Sequence, residues 1–105
     1  MKKIIDMSLH KAYYESIRRG SKTTEYRDMK DYWIDKLLDK SRYKGKSNAE
    51  IKEGLVKGTL KLYPYGWDEV RFHHLQDPPI RLEIKGITVL EGHTTFAIKL
   101  GKRLE

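Results

Sequence analysis

The chain has no cysteine, which excludes disulfides and thiolate metal sites. It has no apolar run approaching the roughly 20 residues needed to cross a bilayer. Its start, Met1-Lys2-Lys3-Ile4-Ile5-Asp6, reaches an aspartate before any long apolar stretch of the kind a secretory leader carries. A cytoplasmic protein without membrane contact is the expectation. Phosphate-loop and dinucleotide-binding glycine patterns are missing, as is a serine in a nucleophile turn. His10, His73, His74 and His93 share no metal-ligand spacing with one another or with a carboxylate. His73 and His74 would point to opposite faces of a strand, so neither a metal nor another cofactor is expected. Acidic residues are the scarcer charge, 15 against 22 lysines and arginines, for a formal net charge of +7. That balance favours polyanionic partners, because each cation that meets a phosphate releases condensed counterions. A basic solvated face that only aids solubility has the same composition.

What is present is a run of 105 residues, 38% hydrophobic and 35% charged, without a low-complexity break. This fits one domain over residues 1–105 with a modest core. Ile4 to Met7 reads as a first strand. Leu9, Ala12, Tyr13, Ser16 and Ile17 recur at helical spacing, with Ser8 as the N-cap and Gly20 at the left-handed C-terminal position. Extended backbone is expected from Thr23 to Tyr26. A second helix spans Asp28 to Lys40, with Trp33, Ile34, Leu37 and Leu38 on its apolar side. Ser47-Asn48-Ala49-Glu50 has the spacing of a capping box and opens a short third helix that ends before Gly58.

From Thr59 the pattern alternates. Leu60 and Leu62 precede a turn at Tyr63-Pro64-Tyr65-Gly66, and a strand follows from Glu69 to Leu75 with Val70, Phe72 and His74 on one face. Asp77-Pro78-Pro79 breaks it. Ile80, Leu82 and Ile84 then alternate, but Ile87 and Val89 have the opposite parity, and a bulge at Gly86 reconciles them. After a turn at Gly92-His93-Thr94, Phe96, Ile98 and Leu100 form a last inward row. The class is α/β of the α+β type: a curled, mainly antiparallel sheet able to close as a barrel, with an N-terminal helix and a helical insert.

Gly20-Ser21-Lys22-Thr23-Thr24-Glu25-Tyr26-Arg27 is the stretch whose residue types gather like a site. Glu25 and Arg27 share one strand face, Thr24 and Tyr26 the other, and Lys22 stands at the strand's mouth. Read as surface, this is a capped strand with exposed ion pairs contributing about 0 to 1 kcal/mol. Read as the mouth of a small barrel, the same lysine, glutamate and arginine would bind a phosphate, orient a base or transfer a proton.

The pattern glycine-x-lysine-x-x-glutamate-x-arginine resembles the signature of the ASCH domain, a small β-barrel fold of the PUA-like superfamily associated with RNA. The order of strand, helix, signature strand, variable middle and closing strands is similar to that family's over the whole chain. The resemblance implies a PUA-like barrel whose basic cleft binds RNA or a nucleotide-like ligand through Gly20, Lys22, Thr24, Glu25 and Arg27. Lys22 and Arg27 would hold an anionic or carbonyl group, and Glu25 would accept a hydrogen bond from a base or hydroxyl. One branch of the family hydrolyses the amide of acetylcytidine with a lysine and a threonine of the signature region and a distal glutamate. Lys22 matches the lysine, but Glu25 stands where that branch has its threonine, and strand parity makes neither Thr23 nor Thr24 an automatic substitute. The alternative implied function is an enzyme on a modified nucleoside or RNA, an amidohydrolase or ribonuclease, with Lys22 and Glu25 as the catalytic proton-transfer pair.

Two further patches are candidates for ligand contact. Tyr65-Gly66-Trp67, an aromatic pair across a glycine, would sandwich a base at the cleft mouth, or else form a turn with two partly exposed anchors. The basic segment holding Lys40, Arg42, Tyr43, Lys44 and Lys46 reads as an exposed loop whose cations meet phosphates while Tyr43 stacks on a base, or as a solvated connector.

Overall fold

In the computed structural model, which describes residues 1–104, three helices and five strands alternate and then give way to strands alone. The order is β1 (Ile4–Ser8), α1 (Lys11–Arg18), β2 (Thr24–Asp28), α2 (Asp31–Leu37), α3 (Asn48–Lys57), β3 (Glu69–His73), β4 (Ile80–Val89) and β5 (Thr95–Leu104), with a single 3₁₀ turn at Lys40–Tyr43 between α2 and α3. The strands form one sheet in the order β1-β3-β4-β5-β2. β1 runs parallel to β3, and the other neighbours are antiparallel. The sheet curls into a half-barrel whose two edges are β1 and β2, the strands that come first in the chain.

Curling has a local cause. Ile84 opposes Leu100 while Gly86 opposes Lys99, so β4 carries one extra residue there, and a second irregularity between Leu82 and Ile84 places the extra residue on β5. Bulges bend the strand that carries them and strengthen its twist. The Glu83 carboxylate accepts the Lys102 N–H at 2.9 Å, a donor freed from the regular ladder. The parity change expected at Gly86 is therefore present, as one of two neighbouring register shifts. The concave face buries Ile5, Met7, Val70, Phe72, Ile80, Leu82, Phe96 and Ile98 against Tyr14 and Ile17 of α1 and Ile34 and Leu37 of α2.

Several expected boundaries shift, among them that of β3, which ends at His73 rather than Leu75. Ser8 does not cap α1, because it pairs with His73 as the last residue of β1, and the Leu9 N–H continues that ladder to the His73 carbonyl. His10 takes the N-cap position without a side-chain bond. With Leu9 outside the helix, its buried side is set by Tyr14 and Ile17, and Tyr13 is exposed. α2 begins at Asp31 rather than Asp28, since β2 extends through Asp28, and it ends at Leu37. Leu38 leaves the helix in extended backbone to bridge Pro64, flanked by bonds from Asp39 N to Tyr63 O and from Tyr65 N to Leu37 O. The alternation of Leu60 and Leu62 accordingly marks packing against the core rather than a strand of the sheet.

Other local expectations hold. Gly20 has φ +77°, with the Gly20 N–H on the Ile17 carbonyl and the Ser21 N–H on the Ser16 carbonyl, the paired bonds of a Schellman cap. The capping box of α3 is complete, with Ser47 accepting from the Glu50 N–H and Glu50 accepting from the Ser47 N–H. Ser47→Ala is expected to lower unfolding free energy by about 1 kcal/mol, measured by urea denaturation, and to leave the cleft described below unchanged.

Candidate functional site

The two sheet edges do not pair, and the gap between them is where the charged residues of β2 converge. Alternation turns Glu25 and Arg27 inward, opposite Ile98 and Phe96 of β5. Arg27 spans the gap, and its Nη2 donates to the Ser8 carbonyl of β1 at 3.0 Å. The Glu25 side chain, only 6% exposed, anchors the span by accepting from Arg27 Nε at 2.8 Å and pairing with Nη2 at 2.7 Å. The other Glu25 oxygen faces the Lys22 ammonium at 3.1 Å. Lys22 arrives there because the Gly20 cap ends α1 two residues earlier.

Each cation is held from both sides. The Lys22 ammonium lies 4.6 Å from the centroid of the Tyr13 ring, and the Arg27 guanidinium 5.0 Å from that of Trp33. Cations over aromatic faces gain electrostatic attraction that grows as water is excluded. Two positive groups around one carboxylate leave the trio with net positive charge. Arg27 Nη1 has no protein acceptor among the described residues, so it is a donor left over from an otherwise fixed fork.

A cleft of about 660 Å³ opens at this seam, lined by Glu25 and Arg27 together with Tyr13, Tyr26, Trp33 and the imidazoles of His10, His73 and His74. Tyr13 and Tyr26 are about half exposed, so the lining combines aromatic residues with charged ones. At one end His73 Nε2 lies 2.7 Å from Asp6 Oδ1, and Arg71 Nε donates to the same oxygen at 2.6 Å. The hydrogen bond from Arg71, followed by that from His73, holds the Asp6 carboxyl below its ordinary value of 3.8, against the opposing effect of desolvation. A carboxyl depressed in the folded state contributes stability above its unfolded value and loses it as pH falls through the folded value. Asp6→Asn is therefore expected to lower Tm slightly at neutral pH and to flatten the further fall below roughly pH 4. The check is a series of melting curves across that range, and the effect stays small because Asp6 is half exposed.

The structure brings Glu25 and Arg27 into the cleft as neighbours. Lys22 reaches Glu25 from behind and lines a second, smaller cleft with Gly20. Thr24 points to the opposite face of β2 and lines neither. The aromatic pair Tyr65 and Trp67 stands elsewhere. Its rings are 5.1 Å apart, the Trp67 indole donates to the Lys36 carbonyl at 2.7 Å, and Lys3 covers Tyr65. The expectation that they guard the cleft mouth is corrected, because the extended 63–65 segment packs along the end of α2 instead.

Within the basic segment, the stacking role expected of Tyr43 is corrected. The segment's first half is the 3₁₀ turn, and Tyr43 is buried, its hydroxyl donating to Lys61 O and accepting from Tyr63 N, each at 2.8 Å. It holds the chain rather than offering a ring to a base. Lys40 is tied to Asp35 and Asn48, and Arg42 lies 4.1 Å from the Tyr63 ring centroid. Lys44 and Lys46 are exposed.

Tyr13, Tyr26, Trp33, His10 and His73 are the lining residues that the sequence pattern does not single out. Tyr26 is within its reach, since it stands between Glu25 and Arg27. Tyr13 falls on the core side only when Leu9 is counted in the helix. The fold and site define a mixed α+β protein in which a buried carboxylate clamped by two cations closes the seam of a curled five-strand half-barrel. Comparison with protein-family models, curated proteins and solved structures finds no match for the chain. No helix among the described residues is long and apolar enough to cross a membrane, and no group of side chains among them is arranged to hold a metal ion.

Proposed function

We propose that the seam cleft binds RNA or a nucleotide-like ligand, as the ASCH-like pattern of Gly20 to Arg27 implies, on a PUA-like form of the half-barrel. The observation that carries this reading is the pairing of a fixed cationic fork with aromatic walls. Arg27, locked by Glu25 and Ser8 O, keeps one donor edge for a carbonyl or phosphate oxygen, while Tyr13, Tyr26 and Trp33 offer faces to a base. Stacking tolerates any base, and a charged donor in a partly dry cleft selects its oxygens. The net charge of +7 supports the same class of ligand.

Tyr26→Ala is expected to weaken binding of a short single-stranded oligocytidylate by about 1 kcal/mol, near fivefold, the lower end for loss of one base stack. Fluorescence anisotropy measures this. Equal affinity of wild type and variant would remove Tyr26 from the site. Arg27→Ala should abolish binding of cytidine itself, followed by NMR titration.

The enzyme reading is kept for one observation. His73 lines the cleft and is oriented by Asp6, which supplies an imidazole able to exchange protons with a bound ligand. Lys22 is less suited to that task, because its ammonium is committed to Glu25. Turnover of acetylcytidine or RNA, followed by mass spectrometry and lost in His73→Ala, would establish this reading. Intact substrates at saturating protein leave the binding module.

A further inference from the structure

Behind Lys22, between the end of α1 and the end of β5, lies a second cleft of about 350 Å³. Among the described residues its charged lining is Arg18, Arg19, Lys22 and Arg103, over an apolar floor that includes Leu82 and Leu100. Cations at a helix C-terminus ordinarily serve the last carbonyls. Here those carbonyls are largely supplied from the backbone. Ser16 O accepts from the Ser21 and Lys22 N–H groups and from Ser21 Oγ, and Ile17 O accepts from the Gly20 N–H. Among the described residues the Arg18 carbonyl is the one that draws on a cation, taking one donor from Arg103 at 3.2 Å.

Nearby carboxylates account for part of the remaining charge. Glu15 pairs with Arg18 and Glu25 with Lys22. Arg19 holds no ion pair or side-chain hydrogen bond among the described residues. Arg18 lowers the Glu15 pKa through its hydrogen bond and Arg19 only through space, so the Arg19 guanidinium donors remain unengaged by the described carbonyls and carboxylates. Lys22 joins the cleft to the seam, since the ammonium rests on Glu25 while the residue forms part of the second cleft's wall. The exposed Gly20 turn between them bears no side chain to block a ligand crossing it.

We infer that the second cleft takes a backbone phosphate of the same single-stranded RNA whose base occupies the seam. The inference rests on the nucleotide reading of the seam for the nature of the chain that crosses Gly20. It assigns the phosphate contact to Arg19, and to the α1 terminus a part in setting how the strand runs.

The test compares cytidine, which has no phosphate, with a short oligocytidylate across a salt series, using wild type, Arg19→Glu, Arg19→Ala and Arg27→Ala. Melting curves confirm that each variant is folded. Arg19 is exposed and carries no structural bond, so Arg19→Glu is the variant least able to perturb the fold. The expected result is that both second-cleft variants weaken oligocytidylate binding, reduce the slope of log affinity against log salt by about 0.7 for each phosphate left without its cation, and leave cytidine affinity unchanged. Unchanged oligocytidylate affinity and slope, with cytidine binding still dependent on Arg27, overturns this inference and leaves the seam reading intact. Cytidine binding that is absent, or indifferent to Arg27→Ala, overturns the seam reading and the inference with it.

Discussion

Glu25→Ala is expected to lower unfolding free energy by about 3 kcal/mol, the low end for removing one member of a buried charge network. For a chain of this length that corresponds to roughly 12 °C in Tm. The size follows from what is left behind. Lys22 and Arg27, each only 18% exposed at the side chain, would face one another without their shared carboxylate. Arg27 would also lose the anchor that aims it at the Ser8 carbonyl, and that bond is a side-chain tie between two unpaired sheet edges. Glu25→Gln keeps the shape and one acceptor, so its loss should be smaller but of the same sign. Calorimetry of both variants decides the matter. A change within about 0.5 kcal/mol, typical of surface substitutions, would mean that the trio is an ordinary surface ion pair and that the seam is held by other contacts.

Tyr43→Ala should cost about 4 kcal/mol, the cost of truncating a buried aromatic residue. Tyr43→Phe isolates the hydroxyl. Removing it takes away the partner that joins the Lys61 carbonyl and the Tyr63 N–H, and losing a typical hydrogen bond costs about 0.5 to 1.5 kcal/mol. Burial also pushes the Tyr43 hydroxyl pKa up, against the lowering effect of the Tyr63 N–H. Tyr43→Phe should bind oligocytidylate as wild type does. A stable Tyr43→Phe with weakened RNA binding would instead restore the stacking role that its basic neighbours imply in the sequence.

These two residues show how far the sequence reaches. Strand alternation puts Glu25 and Arg27 on one inward face, and that is legible because a period of two depends only on backbone geometry. The opposed parities of Leu82 and Ile87 locate the bend, and the capping box locates α3, since both are local. What the sequence does not show is closure. That Arg27 reaches the carbonyl of Ser8, nineteen residues away along the chain, depends on β1 and β2 becoming opposite edges of one sheet. That Tyr43 is buried while its basic neighbours are exposed depends on the 61–63 segment passing over it. Tyr65 and Trp67 look like a base clamp because an aromatic pair across glycine reads the same whether it flanks a cleft or packs against α2. Tyr13 is misplaced when Leu9 is read as part of the helix, whereas pairing of Ser8 with His73 outweighs its capping preference and leaves Leu9 outside.

The most direct test of the seam cleft uses the two tryptophan indole N–H signals of labelled protein during titration with oligocytidylate. Trp33 lines the cleft beside Arg27, whereas Trp67 is bound to the Lys36 carbonyl outside it. Binding in the seam predicts that the Trp33 signal moves with saturation while that of Trp67 stays in place. A moving Trp67 beside a still Trp33, or no change in either at saturating RNA, would contradict it.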